Sequence, residues 1–179
     1  MEVFGTSGYN ATSLAQVAAA MGMTHTGLHH HFQGKERLLE AVLARLDDDT
    51  RLPPQTKGPA RGREFLANIL LRYEHAEPDL KRAYCVLAAE ATSPNHPAHE
   101  HFQRGYRLRR AEVIAALREF PPGGESASEL GIRGLASRLL AVADGLLLQS
   151  LTEPGSVDVE GQVLTAVRTA VPQTQAFRG

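Results

Sequence analysis

No tryptophan occurs in this chain, and its single cysteine, Cys85, excludes an internal disulfide. A lone thiol suits a reducing compartment. No basic segment followed by an apolar one stands at the N-terminus, so no signal peptide is read there. Long hydrophobic runs are also missing. The longest apolar stretch, Leu139 to Leu151, is interrupted by Asp144 and is too short to span a bilayer. Aromatics make up only 6% of the residues, while alanine and leucine are abundant, which leans the composition toward helix. No internal repeat or low-complexity tract is present. No Ser-His-Asp order, phosphate-cradling glycine loop or pair of carboxylates stands out, so no enzyme is expected. The expectation is a cytoplasmic protein of one or two small domains, leaning helical in composition, with no membrane association.

What is present is concentrated between Thr12 and Glu36. Ser13-x-x-Gln16 fits a capping box, in which the two side chains satisfy free amides at a helix start. Leu14, Val17, Ala18 and Met21 recur at three- and four-residue steps and predict one apolar face. Gly22 stands where a left-handed residue ends such a helix at low cost. Thr24 can cap a second helix, with Met23 packing on Leu28 across the cap. Leu28 and Phe32 then face inward, with His31 leaning the same way. Thr26, His29 and His30 face outward, and His25 and Gly27 lie near the helix start. Two helices joined by a short turn containing glycine form the helix-turn-helix signature.

The run Gly22-Met-Thr through Leu28-His-His-His-Phe32, with Lys35-Glu36, resembles the tetracycline-repressor (TetR) family of bacterial transcription regulators. Weaker similarity extends to Glu90–His99 and Ala143–Gln149, which resemble ligand-domain segments of actinobacterial-type members. The resemblance implies an all-α homodimer with an N-terminal helix-turn-helix domain (1–48) and a C-terminal effector-binding and dimerisation domain (49–179). It further implies a palindromic double-stranded DNA operator and a small-molecule effector that loosens the grip on DNA. Two departures accompany it. The family's first helix is represented only by a last turn ending at Gly5 or Gly8, which would leave Leu14, Val17 and Phe32 short of a covering partner. His29 occupies a position where the family usually carries a phosphate-binding tyrosine.

Roles within the expected DNA surface divide by position. His25, Thr26 and Gly27 are placed for base edges, and His29 and His30 for phosphates. Thr12 and Ser13 cap a helix end that suits an anion, and Lys35 behind Gly34 suits a backbone phosphate. For Thr12, Ser13 and Thr24, plain helix capping accounts for the residue equally well. The formal charge of residues 1–46 cancels, Lys35, Arg37 and Arg45 against Glu2, Glu36 and Glu40. Phosphate neutralisation supplies most non-specific affinity, so weak, salt-sensitive binding is expected. Protonated histidines 25, 29, 30 and 31 would add charge, so binding should weaken as pH rises from about 6 to about 8.

Beyond Lys35 a helix continues to about residue 49, and the breaker-rich segment Leu52–Pro59 is the natural boundary loop. Further helices are predicted over about 61–76, 79–92, 96–120, 128–152 and 158–170. On the last two, Leu135, Leu139, Val142 and Leu146, flanked by Ala136, Leu140, Ala143 and Leu147, and then Val159, Val163, Val167 and Ala170, form wide stripes suited to burial on more than one side. Homodimerisation through these two helices is expected. Effector contacts are sought among Leu66, Ile69, Tyr73, Cys85, Glu90, Phe102, Tyr106, Arg109 and Leu146, although core packing explains each as readily. Arg109 and Glu90 need charged partners if buried, each other or a ligand. His96, His99 and His101, near Glu90 or Glu100, have donors suited to zinc or copper, but nothing else supports a site, and no metal or cofactor is expected. The alternative from another class is a dimeric small-molecule sensor or carrier whose DNA-binding head is degenerate.

Overall fold

The computed structural model describes residues 1–49, 60–119, 122 and 127–171. Among them are nine helices and no strand: α1 (Glu2–Ser7), α2 (Leu14–Ala20), α3 (His25–Phe32), α4 (Lys35–Asp49), α5 (Ala60–Leu71), α6 (Pro78–Glu90), α7 (His99–Glu119), α8 (Glu129–Thr152) and α9 (Val159–Ala170). The expected boundary loop Leu52–Pro59 and most of Pro121–Gly124 lie outside the described residues. No helix among those described is long and apolar enough to cross a membrane.

Local chemistry sets the helix starts. The Ser13 side chain accepts from Gln16 N–H at 3.2 Å while Gln16 Oε1 accepts from Ser13 N–H at 2.7 Å, completing the capping box. Thr24, Ser128 and Asp158 cap α3, α8 and α9 in the same way, each accepting from the N–H three residues on. Pro78 opens α6, where a missing N–H costs nothing. The predicted 61–76 helix stops earlier, at Leu71, because Glu74 and His75 N–H turn back onto the Leu71 carbonyl. The predicted start at 96 moves to His99, since residues 91–98 form successive turns around Pro94 and Pro97.

The chain divides into two compact units. The first comprises Met1–Arg51 and Ala76–Gly105, so α6 and the beginning of α7 join the helix-turn-helix segment. There α1 packs along α6, with Phe4 buried, and Gly5 lies close to Arg82 and Ala83. Within the helix-turn-helix, Val17, Ala18 and Leu28 are buried while Leu14 and Phe32 stay half-buried. Met21, expected on the apolar face, is 56% exposed. It lies in the cap beyond Ala20, where the helical phase no longer holds. His31 is likewise exposed rather than turned inward, because Leu28 is the only buried residue of α3.

The second unit comprises Leu52–His75 and Tyr106–Gly179. Its core joins Leu66, Ile69 and Leu70 of α5, Val113 and Leu117 of α7, the stripes of α8, and Val159, Val163 and Val167 of α9. Truncating one such leucine to alanine costs about 2–5 kcal/mol. On α8, Leu135, Leu139, Leu140, Ala143 and Leu147 are buried within the chain itself, so these residues of the expected association stripe serve intramolecular packing. Val142, in contrast, is 40% exposed, and Leu146 is half-buried.

Candidate nucleic-acid interface

Helix α3 presents His25, Thr26, His29 and His30 on its exposed face. The His25 and His29 rings lie 6.3 Å apart, one turn from each other. Gly27 is half-buried beneath Thr24, whose hydroxyl accepts the Gly27 N–H at 3.1 Å; a Cβ there would crowd that oxygen. Glycine thus serves the helix cap as well as any close approach by DNA. At the other end, Gln33 adopts φ 51° and returns its N–H to the His29 carbonyl, ending α3 with a left-handed residue that is not glycine.

Ser13 is exposed at the start of α2, as expected. Thr12 does not join it there. Its side chain is buried, and the hydroxyl donates to the Gly8 carbonyl at 2.5 Å. Capping of α2 therefore belongs to Ser13 alone, and Thr12 instead pins the turn after α1.

Lys35 opens α4 beside a groove of about 420 Å³ lined by Tyr9, Gln33, Gly34, Lys35, Glu36, Arg37 and Glu40. Its ammonium sits 4.2 Å above the Tyr9 ring and donates to the Asn10 carbonyl at 3.4 Å. An ammonium has three donors, and this seat holds it at the groove through one of them and the aromatic face. Arg37 in the same groove pairs with Glu40 at 2.7 Å on the exposed surface.

Behind Tyr9 lies a half-buried carboxylate whose role local sequence patterns did not reveal. Glu90, the last residue of α6, accepts the backbone N–H of Tyr9 at 2.6 Å and that of Asn10 at 3.1 Å. Gly8 makes room for this carboxylate, since a Cβ at position 8 would come within 2.6 Å of Glu90 Oε1. His96 packs edge-on against the Tyr9 ring, with centroids 5.2 Å apart. The ring's Nδ1 accepts the Ala98 N–H at 3.2 Å, so the neutral imidazole carries its proton on Nε2. That nitrogen faces Glu90 Oε2 at 3.6 Å, just beyond hydrogen-bond length. Burial is the largest influence on His96 and lowers its pKa; Glu90 opposes this, and Lys35 adds a further lowering. The remaining histidines of the cluster go elsewhere, His99 Nδ1 to the Ala91 carbonyl at 2.8 Å and His101 toward Asp47 at 3.5 Å. Among the described residues no three metal-capable side chains converge.

The effector candidates fall in both units. Cys85, Glu90 and Phe102 belong to the first, where Glu90 is engaged as described and Phe102 packs against Tyr84 and His101. Leu66 and Ile69 are fully buried in the core of the second unit, and Leu146 packs at its margin. Three candidates do meet: Arg109 is buried, with its guanidinium 4.5 Å above the Tyr106 ring and 5.2 Å above that of Tyr73. Its charged partner is Asp144, at 3.3 Å, and not Glu90. Asp144 was legible in sequence only as the break in an apolar stretch, although a lone carboxylate in such a stretch is itself a sign of a buried cation.

Comparison with known proteins adds matches of three kinds to this geometry. Residues 1–42 match the family model "Bacterial regulatory proteins, tetR family", and residues 61–175 match "BetI-type transcriptional repressor, C-terminal". A curated relative, the HTH-type transcriptional regulator BetI of Rhizobium meliloti (strain 1021), is 23% identical over 168 residues, covering 91% of this chain and 79% of the relative. Among solved structures, a TetR-family transcriptional regulator from Rhodococcus sp. superposes with a TM-score of 0.73 at 18% identity, covering 95% of this chain and 93% of its own. NalD, the secondary repressor of the MexAB-OprM multidrug efflux pump in Pseudomonas aeruginosa, gives 0.59 at 21% identity, covering 97% and 93%.

Proposed function

The chain belongs to the TetR family of DNA-binding transcription regulators, and from that premise we propose that it is an effector-responsive repressor that binds a palindromic operator as a homodimer. The observation that carries the DNA half is the joint exposure of His25, Thr26, His29 and His30 on α3 beside the groove where Lys35 is seated. In this reading the start of α3 meets base edges, while His29, His30, Lys35 and the Ser13 end of α2 meet phosphates. The two-domain division at 48/49 remains part of the reading in chain order, with α6 supporting the head in space.

The homodimer is supported by apolar surface left uncovered on α8. Leu130 is 82% exposed and Leu148 56% exposed. Gly134, Ser137, Ala141 and Gly145 fall between them on the same helical stripe, and such small side chains let a second helix approach closely. Repression is supported by the repressor description of the family model that matches residues 61–175. For the effector, the grouping of Tyr73, Tyr106, Arg109 and Asp144 offers aromatic faces and an ion pair whose rearrangement would be felt by α7 and α8. Effector binding would shift the balance between DNA-competent and incompetent states by about 1–3 kcal/mol.

Selection of fragments from the source genome with the purified chain, at low and at physiological salt, tests this reading. Recovery of one palindromic site, lost with Thr26→Ala or Lys35→Ala, supports a specific regulator. A folded dimer that selects nothing would favour a sensor or carrier with a degenerate head.

A further inference from the structure

We propose that Glu90 is a positioning residue for DNA binding: by holding the Tyr9–Asn10 turn it sets the seat from which the Lys35 ammonium reaches phosphate. The proposal deepens, and rests on, the reading of Lys35 as a phosphate contact. The geometry is a relay of short steps within one compact unit. Both oxygens of the Glu90 carboxylate take backbone amides of the turn, Tyr9 at 2.6 Å and Asn10 at 3.1 Å. The same two residues form the Lys35 seat, Tyr9 through its ring at 4.2 Å and Asn10 through its carbonyl at 3.4 Å.

Three features hold the carboxylate and the Tyr9 ring in place. Gly8 adopts φ 70° and ψ −177° and leaves the space that the carboxylate fills. His96 directs its Nε2 toward Oε2 from the buried side, while its ring braces Tyr9. Phe4 stacks on Tyr9, with ring centroids 6.3 Å apart. A lysine on a free surface samples many rotamers and loses them on meeting a phosphate. A lysine already seated gives up less, so the seat adds to affinity without touching DNA. Because both bonds issue from one side chain at the end of α6, a displacement of that helix end moves the turn and the lysine together.

The test uses the full chain and a mixed-sequence DNA duplex, because a phosphate contact needs no operator. Binding is measured across a salt series for the parent, Lys35→Ala, Glu90→Gln and their double variant, with folding monitored by circular dichroism. Removing one phosphate contact lowers the slope of log K against log salt by about 0.9. Lys35→Ala should show this loss. Glu90→Gln should show a weaker loss in the same direction, and the double variant should bind no more weakly than Lys35→Ala alone. Tyr9→Leu, which removes the ring but leaves both Glu90 bonds to backbone, is a second route if Glu90→Gln fails to fold; it too should reduce the slope and be masked by Lys35→Ala. A merely structural role predicts otherwise, with an unchanged slope and effects that add to Lys35→Ala; that result overturns the proposal. Loss of slope in Lys35→Ala without any loss in folded Glu90→Gln or Tyr9→Leu overturns the positioning role while sparing the phosphate contact. An unaltered slope in Lys35→Ala overturns both.

Discussion

Gly8→Ala should destabilise the first unit far more than an exposed glycine replacement does. Two costs add at this position. The backbone at φ 70° and ψ −177° lies in a region that is essentially restricted to glycine, and a side chain there costs about 1–3 kcal/mol. The new Cβ would also stand 2.6–2.8 Å from the atoms of the Glu90 carboxylate, which must move. That carboxylate accepts two backbone amides, and hydrogen bonds to charged groups contribute about 1.5–3 kcal/mol each. The Asn10 bond is exposed and partly screened, so about one such bond is counted. The sum is about 3 kcal/mol or more. Urea denaturation followed by circular dichroism gives the total, and hydrogen exchange at the Tyr9 and Asn10 amides shows whether it arises at this turn. In a Glu90→Ala background the collision disappears and only the backbone cost remains, so the two substitutions should be less than additive. Gly8→Ala within about 1 kcal/mol of the parent, with both amides still protected, would refute the reasoning.

Other expectations follow from the same structure. Asp144→Ala removes a carboxylate that pairs with the buried Arg109 guanidinium, and because Asp144 is itself a quarter exposed the loss should be about 1–3 kcal/mol in thermal unfolding. The paired replacement Arg109→Met with Asp144→Leu should lose less than Asp144→Ala alone; a greater loss would mean that the ion pair is not the source. Ser13→Ala removes one half of the capping box and should cost about 1 kcal/mol, with Gln16 amide exchange accelerated. Burial holds His96 below its ordinary value of 6.5, so below about pH 6.5 the unfolded chain binds a proton that the folded chain resists. Stability should be flat above that pH as far as His96 is concerned and fall as pH drops below it. His101, lowered chiefly by burial against the pull of Asp47, adds to the same fall. His96→Gln should make the slope shallower, and an unchanged slope would exclude His96 as a contributor.

Much of the fold was legible because its signals are local. The Ser13–Gln16 capping box, the Thr24 cap, Gly22 with φ 65° and the burial of Leu28 all depend on residues within one or two helical turns. The stripes of α8 and α9 were legible for the same reason, since 3.6-residue spacing decides which side chains share a face. Errors came where that periodicity ends, as at Met21, or where a helix is too short to bury a second row, as at His31. The support of the head was not legible. Glu90 meets Tyr9 and Asn10 across 81 and 80 residues, and a pairing at that separation leaves no mark on local spacing. The segment from Glu90 to His99 resembles ligand-domain sequence yet groups with the helix-turn-helix unit, where Glu90 and His96 serve the turn after α1. Arg109 and Glu90 were each expected to need a charged partner if buried; Arg109 is buried and has one, whereas Glu90 is only half-buried and takes backbone amides. Which partner each takes is decided by topology, Asp144 on α8 for one and the α1 turn for the other.

The central claim, a dimer that reads a two-fold operator with α3 and anchors it through Lys35, is tested most directly by footprinting the chain on the DNA it selects. Two protected half-sites related by a dyad, centred about 34–36 Å apart or slightly more, are predicted, since a two-fold dimer engages successive major grooves. Thr26→Ala should abolish that pattern, and Lys35→Ala should weaken protection uniformly across it. A folded dimer that leaves every sequence unprotected at low salt, or a footprint indifferent to both substitutions, would contradict the account.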